Sequence, residues 1–124
     1  MTEIRSHRDL IAWQRAMDLV VFVYKATASW PKEELYGLTA QARRAAVSVP
    51  ANISEGYGRD NLGSYIQFLR IAQGSLKEVE THFEIAHRVG IADSAVQNEA
   101  LAQAQSVGKV LRGLINKLGG NTGS

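Results

Sequence analysis

The side chains best suited to metal chemistry lie near residue 84. Glu84 and His87 form a Glu-x-x-His motif, and a di-iron helical bundle needs two such motifs plus a further glutamate from each remaining helix. The sequence holds one copy, and its other histidines are His7 and His82. A single motif with few inward carboxylates is typical of solvated side chains on a helix surface, so we expect no bound metal.

Residues 56–61 are the next candidate, because they begin like the glycine-rich fingerprint of dinucleotide-binding proteins. Asn61 stands where that fingerprint has its third glycine, and no strand pattern precedes it, so a turn between helices is predicted. The sequence also lacks cysteine, a phosphate-binding loop and a Gly-x-Ser-x-Gly elbow. We therefore expect neither an enzyme nor a cofactor.

Helical periodicity organises nearly all of the 124 residues that could carry such chemistry. Four segments show it, at about residues 10–30, 35–55, 62–89 and 94–118. The breaks between them are short, which places neighbouring helices antiparallel. The sequence thus predicts an all-α fold, an up-down-up-down antiparallel four-helix bundle over residues 1–118, followed by a flexible tail at 119–124.

Residue types at the segment ends fit helix boundaries. Ser6 with Asp9 resembles a capping box before the first helix. Asn61 and Gly90 are suited to cap the start and the end of the third helix. Trp30 precedes a proline, which pushes its backbone out of the helical region, so the first helix is expected to end there.

The second helix has an unusual composition, with Pro50 inside it and small residues on several faces. The proline removes one main-chain donor, so we expect a kinked second helix, bent near residues 46–50. Ser48, Asn52 and Ser54 are placed to bond carbonyls that the proline leaves without a donor. Much of this segment therefore specifies a tightly packed helix.

The apolar runs of the chain are short. The longest strongly apolar run covers six residues, 19–24, whereas a membrane-spanning helix needs about 20. The N-terminal residues carry charges of both signs and lack the apolar core of a secretory signal. We expect a cytoplasmic protein that does not associate with membranes.

The first and third helices carry more apolar residues than a bundle core needs, which is about three positions in seven. Phe22 on the first helix, and Phe68 and Ile71 on the third, lie partly outside the core stripe. One interpretation is a wide stripe with scattered surface apolar residues, which is common. The interpretation that we favour is an oligomer interface formed by these three residues.

The net charge of +2 hides a separation of charge along the chain. Residues 35–77 carry five basic and two acidic residues, net +3. Residues 78–100 carry net −4, and residues 101–124 carry net +3. The chain therefore places a basic region next to an acidic one.

The basic residues of the first block are our candidates for contacts with nucleic-acid phosphates. They are Arg43, Arg44, Arg59, Arg70 and Lys77. Tyr57 and Tyr65 lie near enough in sequence to stack on bases. The alternative is an ordinary solvated face, with ion pairs such as that of Arg59 with Glu55 four residues earlier.

Three stretches carry a resemblance to a known family. They are residues 34–59 (ELYGLTAQARRAAVSVPANISEGYGR), 9–17 (DLIAWQRAM) and 68–80 (FLRIAQGSLKEVE). Together they resemble the bacterial four-helix bundle proteins encoded in intervening sequences of 23S ribosomal RNA genes. Two positions depart from the family pattern: His7 replaces a frequent aromatic residue, and residues 60–62 replace a turn richer in lysine and serine.

The resemblance implies a ring-shaped homopentamer without known catalysis or cofactor. It also implies kinship to the accessory variability determinant of diversity-generating retroelements, which binds a reverse transcriptase and nucleic acid. Our leading hypothesis is therefore a non-enzymatic oligomeric bundle that binds RNA or DNA or acts as an adaptor. The alternative hypothesis is a protein-interaction scaffold that docks a partner on its apolar helix faces.

Overall fold

The computed structural model describes residues 3–120, and all of its regular structure is helical. The four α-helices are α1 (Ile11–Thr27), α2 (Leu38–Tyr57), α3 (Leu62–Arg88) and α4 (Ser94–Lys117). Two short 3-10 turns, His7–Asp9 and Lys32–Glu34, precede α1 and α2. The predicted all-α class is confirmed, and within residues 3–120 there is no strand.

Each helix packs against its neighbours in the chain, and α1 also packs against α4, which closes a four-helix bundle. The core is formed by the inward stripe that recurs every three or four residues on each helix. The largest fully buried side chains include Phe83, Leu19, Ile53, Leu69, Leu111 and Ile115. None of the described helices is long and apolar enough to cross a membrane.

The ends of α3 and α4 follow from local chemistry. The Asn61 side chain accepts from the Ser64 N–H at 2.8 Å, and Asp93 accepts from the Val96 N–H at 2.9 Å. Gly90 has a φ of +83°, and the N–H of the next residue bonds back into the last turn of α3. Both predicted caps of α3 are confirmed.

The starts and ends of α1 and α2 differ from their predicted positions. The Ser6–Asp9 capping box is present, but it caps the 3-10 turn before α1. α1 ends at Thr27, since Trp30 leaves the helix to pack against Phe83, with ring centroids 5.3 Å apart. α2 begins at residue 38 because residues 32–34 form the separate 3-10 turn after the proline.

The helix α2 continues through the buried Pro50 to Tyr57. Asn52 donates to the Ser48 carbonyl at 2.8 Å, and Ser54 donates to the Ala51 carbonyl at 3.0 Å. Neither bond reaches the carbonyl four residues before the proline, so that part of the sequence interpretation is wrong. The kink itself stays a prediction.

Two residues of the predicted tail are held against the bundle. Gly119 has a φ of +90°, and the Gly120 N–H donates to the Ile115 carbonyl at 2.8 Å. Arg70 of α3 donates to the Gly120 carbonyl, which fastens the end of α4 to α3. The rest of the tail, residues 121–124, and the first two residues of the predicted domain lie outside the described residues.

Candidate nucleic-acid interface

The five basic residues predicted to contact nucleic acid fall into two groups. Arg43, Arg44 and Arg59 belong to α2 and the turn that follows it, whereas Arg70 and Lys77 lie on α3. The two groups differ in what surrounds their charges.

Arg43 is engaged at the junction of α1 and α2. Its Nε donates to Thr27 Oγ1 at 2.9 Å, and its guanidinium lies 4.6 Å from the centre of the Tyr24 ring. Thr27 is the last residue of α1, so the cation also lies near the negative end of that helix dipole. Arg43 is half-buried and holds two helices together. Arg44 is exposed and forms no ion pair with the described residues.

Arg59 is engaged at the junction of α2 and α3. Its guanidinium bonds the Glu55 carboxylate at 2.9 Å and lies 4.7 Å from the centre of the Phe68 ring. The sequence alternative that paired Arg59 with Glu55 is therefore present in the structure. Close by, the half-buried rings of Tyr57 and Tyr65 meet edge to face, with their centroids 6.1 Å apart. The pKa of Tyr65 is raised, mainly by burial and to a smaller extent by the neighbouring Tyr57.

We call these contacts at the end of α2 the α2–α3 joint: Glu55, Gly56, Tyr57, Arg59, Tyr65 and Phe68. Gly56 is buried, and a Cβ built there would lie 2.8 Å from the Phe68 Cβ. The joint therefore needs glycine at this position, because any side chain would force the two helices apart. Its cation and its rings contact one another, so a ligand would have to compete with these contacts.

Arg70 and Lys77 lie on the opposite side of α3, along a groove between α3 and α4. The groove has a volume of about 530 Å³. Lys109 and Arg112 of α4 face them across it, so four cations line one depression. Arg70 and Lys77 are seven residues apart, about 10.5 Å along the helix, and Lys109 and Arg112 are about 4.5 Å apart. We call this depression the α3–α4 groove.

One carboxylate, Glu80, offsets part of this charge. It lies 3.6 Å from the Lys77 amino group, a long separation for an ion pair, and 78% of the Lys77 side chain stays exposed. Lys109 and Arg112 are exposed and form no ion pair with residues 3–120. The groove therefore keeps a net positive charge, which attracts and binds anions such as phosphate.

The predicted site is thus divided, and part of the groove was missed. Arg70 and Lys77 are brought together with two residues of α4 that the sequence analysis did not propose. Their signal was the net +3 of residues 101–124, which becomes informative only when antiparallel packing places α4 beside α3.

The residues predicted to form an oligomer interface differ in exposure. Phe22 is half-buried, with its ring 6.1 Å from that of Phe83 in the core. Phe68 is half-buried beneath Arg59. Ile71 is 44% exposed. Within one subunit both phenylalanines are thus largely covered, and the oligomer interface stays a prediction.

The Glu-x-x-His motif has other partners. Glu84 accepts from Arg88 Nε at 2.7 Å and from Gln97 Nε2 at 2.6 Å, and the Arg88 bond lowers the pKa of its carboxyl. His87 Nδ1 lies 3.0 Å from the Ala92 carbonyl. Between residues 3 and 120 no three histidine or acidic side chains come together as metal ligands do.

Fold and groove together define a class: a small four-helix bundle with a cationic depression between its last two helices. The chain belongs to the family of 23S rRNA-intervening sequence proteins, whose family model matches residues 8–113. This confirms the family resemblance found in the sequence. No curated protein matches the chain.

The fold is similar to the crystal structure of a protein of unknown function from the S23 ribosomal protein family of Bacteroides thetaiotaomicron VPI-5482. The TM-score is 0.76 at 19% sequence identity, over 85% of this chain and 98% of that chain. At this identity the likeness concerns the fold alone.

Proposed function

We propose that this protein binds nucleic acid through the α3–α4 groove and has no catalytic activity of its own. The observation that carries the proposal is the convergence of four cations on one depression, two of which form no ion pair within the described chain. Lysine and arginine that neutralise phosphates release counterions, which supplies affinity without sequence specificity. We place this protein in the cytoplasm, where RNA and DNA are within reach.

The arginines of α2 contribute less in this proposal than in the sequence hypothesis. Arg43 and Arg59 would have to leave an aromatic ring and a hydrogen bond before they could contact phosphate. Arg70, which donates to the Gly120 carbonyl, and Lys77, which pairs loosely with Glu80, keep a smaller share of their proposed role. Lys109 and Arg112 join them and carry the larger share. In the homopentamer that the family resemblance implies, the groove would be repeated five times around a ring.

The test is the binding of a labelled single-stranded RNA of about 12 nucleotides at about 50 mM salt. We expect binding that weakens steeply with added salt and is lost in the double variant Lys109→Glu/Arg112→Glu. Lys25→Glu/Lys32→Glu is the matched control, since it changes the net charge equally at exposed positions outside the groove. Equal loss in both variants, or no binding by the native protein, contradicts the proposal.

A protein-interaction scaffold is the second candidate function, and one face of α1 supports it. Met17, Val21 and Tyr24 follow one another at helical spacing and are 38%, 49% and 44% exposed. This face suits a protein partner, such as the reverse transcriptase implied by the family resemblance, or another copy of the chain.

The variant Val21→Asp distinguishes a protein partner from a second copy of the chain on the α1 face. Loss of a nuclease-resistant protein partner from pull-downs, with the oligomer intact, favours the scaffold. Light scattering tests the proposed oligomer itself, and a monomer mass at micromolar concentration would contradict it.

A further inference from the structure

Three of the residues that line the α3–α4 groove are small, and two of them are glycines inside helices. Gly74 lies in the middle of α3 and Gly108 in the middle of α4, with Ala104 one turn away. Glycine in a helix interior is about 0.5–1 kcal/mol less favourable than alanine. Gly113 of α4 bears the same cost outside the groove, so what distinguishes Gly74 and Gly108 is the shape that they give to the groove.

Packing within the bundle does not require either glycine. A Cβ built at Gly74 has no heavy atom within 4 Å, and one at Gly108 meets only Leu76 Cδ1 at 3.7 Å, an ordinary contact. Gly56 is the opposite case, since its Cβ would lie 2.8 Å from that of Phe68. The missing side chains at Gly74 and Gly108 instead deepen the groove, and glycine is the residue that allows close approach of a ligand to a backbone.

The chemistry changes from the floor to the rim. The floor, which we define as Gly74, Leu76, Ala104 and Gly108, offers Cα atoms and apolar side chains. The rim carries the four cations together with Gln73, Glu80 and Gln105. Two of these cations, Arg70 and Arg112, have planar guanidinium groups on which a base can stack. The groove thus fits a ligand that joins a flat, weakly polar group directly to negative charge.

A nucleotide in an unpaired strand has this form, and a paired nucleotide does not. In a duplex the bases are stacked and paired inside, so only sugars and phosphates could reach the rim, and the floor would stay empty. In a single strand the base and sugar are free to enter beneath the phosphates. The cations at the rim attract the phosphates of single strands and duplexes alike. The shape of the floor therefore determines which of the two binds more tightly.

We propose that the α3–α4 groove selects single-stranded over double-stranded nucleic acid, with Gly74 and Gly108 keeping its floor open for an unpaired base. This inference rests on the proposed function. In the bound state, the base lies on the floor beside the Arg70 or Arg112 plane, and phosphates contact Lys77 and Lys109.

The experiment compares the affinities of an oligouridylate of about 12 nucleotides and an RNA duplex of the same length, measured by fluorescence anisotropy. The native protein prefers the single strand. Gly74→Leu fills the floor without a change of charge, and it lowers single-strand affinity about tenfold while duplex affinity stays the same. Gly108→Ala has the same effect to a smaller extent.

Gly113→Leu is the matched control. Gly113 also lies inside α4 with nothing within 4 Å of its Cβ position, but it lies outside the groove. It leaves both affinities unchanged. All three substitutions favour helix over glycine, so circular dichroism is expected to show folded proteins with unchanged or higher melting temperatures.

Equal native affinities for single strand and duplex overturn the inference, as does a preference that survives Gly74→Leu. Equally tight binding of a polyglutamate peptide with the same dependence on Gly74 overturns it in favour of an acidic protein partner. A separate outcome would contradict the proposed function itself: if Lys109→Glu/Arg112→Glu does not weaken the binding of either RNA, the groove is not the binding site.

Discussion

The α2–α3 joint and the α3–α4 groove use the same residue types in opposite ways. Each combines a glycine inside a helix with a nearby arginine, which follows α2 in the joint and lies on α3 and α4 in the groove. In the joint, Gly56 is filled by Phe68, and Arg59 is bound to Glu55 and to the phenylalanine ring. In the groove, Gly74 has open space above it, and Lys109 and Arg112 extend into solvent.

The difference teaches that the most distinctive sequence is not the most available surface. Residues 38–59, which belong to the most distinctive stretch of the sequence, use Arg43, Gly56 and Arg59 to hold α1 and α3, which is a structural role. The less distinctive sequence of α4 supplies cations that the fold itself does not need. Substitutions in the joint should therefore change stability, whereas substitutions in the groove should change binding.

The largest expected effect on stability comes from Gly56→Ala. The new methyl group would clash with the Phe68 Cβ, and overpacking of this kind costs about 1–3 kcal/mol, more than the gain in helix propensity. We expect a net loss of up to about 2 kcal/mol, seen as a lower midpoint in urea denaturation. A midpoint equal to or above that of the native protein would show that the joint can open without cost.

Arg43→Ala is expected to have the next largest effect on stability. It removes the hydrogen bond to the buried Thr27 hydroxyl and the contact with the Tyr24 ring, a loss of about 1 kcal/mol. RNA affinity should stay within about twofold of native because Arg43 lies outside the groove. The salt dependence of binding should also stay the same, since it changes visibly when a phosphate contact is lost. Unchanged stability with weakened RNA binding would return Arg43 to the binding site that the sequence predicted.

Gly74→Ala is expected to act in the opposite direction. The substitution gains about 0.5–1 kcal/mol of stability, because a Cβ meets no neighbour and alanine favours the helix. Thermal unfolding measures this as a rise of a few degrees in the midpoint. Gly113→Ala should give the same rise, and a fall in either variant would mean that the glycine serves packing.

The smallest expected effect belongs to the ion pair of the joint. Arg59 and Glu55 are 44% and 56% exposed, and pairs of this kind contribute about 0.2–1 kcal/mol at most. Glu55→Gln is therefore expected to shift the urea midpoint only slightly, and less at high salt than at low salt. A shift as large as that of Gly56→Ala would contradict this ranking of charge against packing.

Local sequence chemistry predicted what local contacts determine. Asn61, Gly90 and the two ends of α3 were predictable because capping depends on residues within one helical turn. The start of α2 was misplaced by three residues because residues 35–37 form a turn, in which Leu35 and Leu38 keep the three-residue spacing that a helix would also show.

The candidate site was predictable only in part. Arg70 and Lys77 were found from charge alone, but Lys109 and Arg112 are remote in sequence and meet them only through the packing of α3 on α4. For the same reason the sequence could not show that Phe68 covers Gly56 and lies beneath Arg59. Whether a cation is engaged or available is a property of tertiary packing.

The most direct test of the central claim is the salt dependence of RNA binding in two charge-matched double variants. Lys109→Ala/Arg112→Ala removes two cations from the groove, and Arg43→Ala/Arg44→Ala removes two from α2. For a single strand, each lost phosphate contact lowers the slope of log K against log salt by about 0.7. The groove variant should lose about 1.4 from the native slope while the α2 variant keeps it. The reverse pattern, or equal losses in both variants, would contradict the claim that the groove binds nucleic acid.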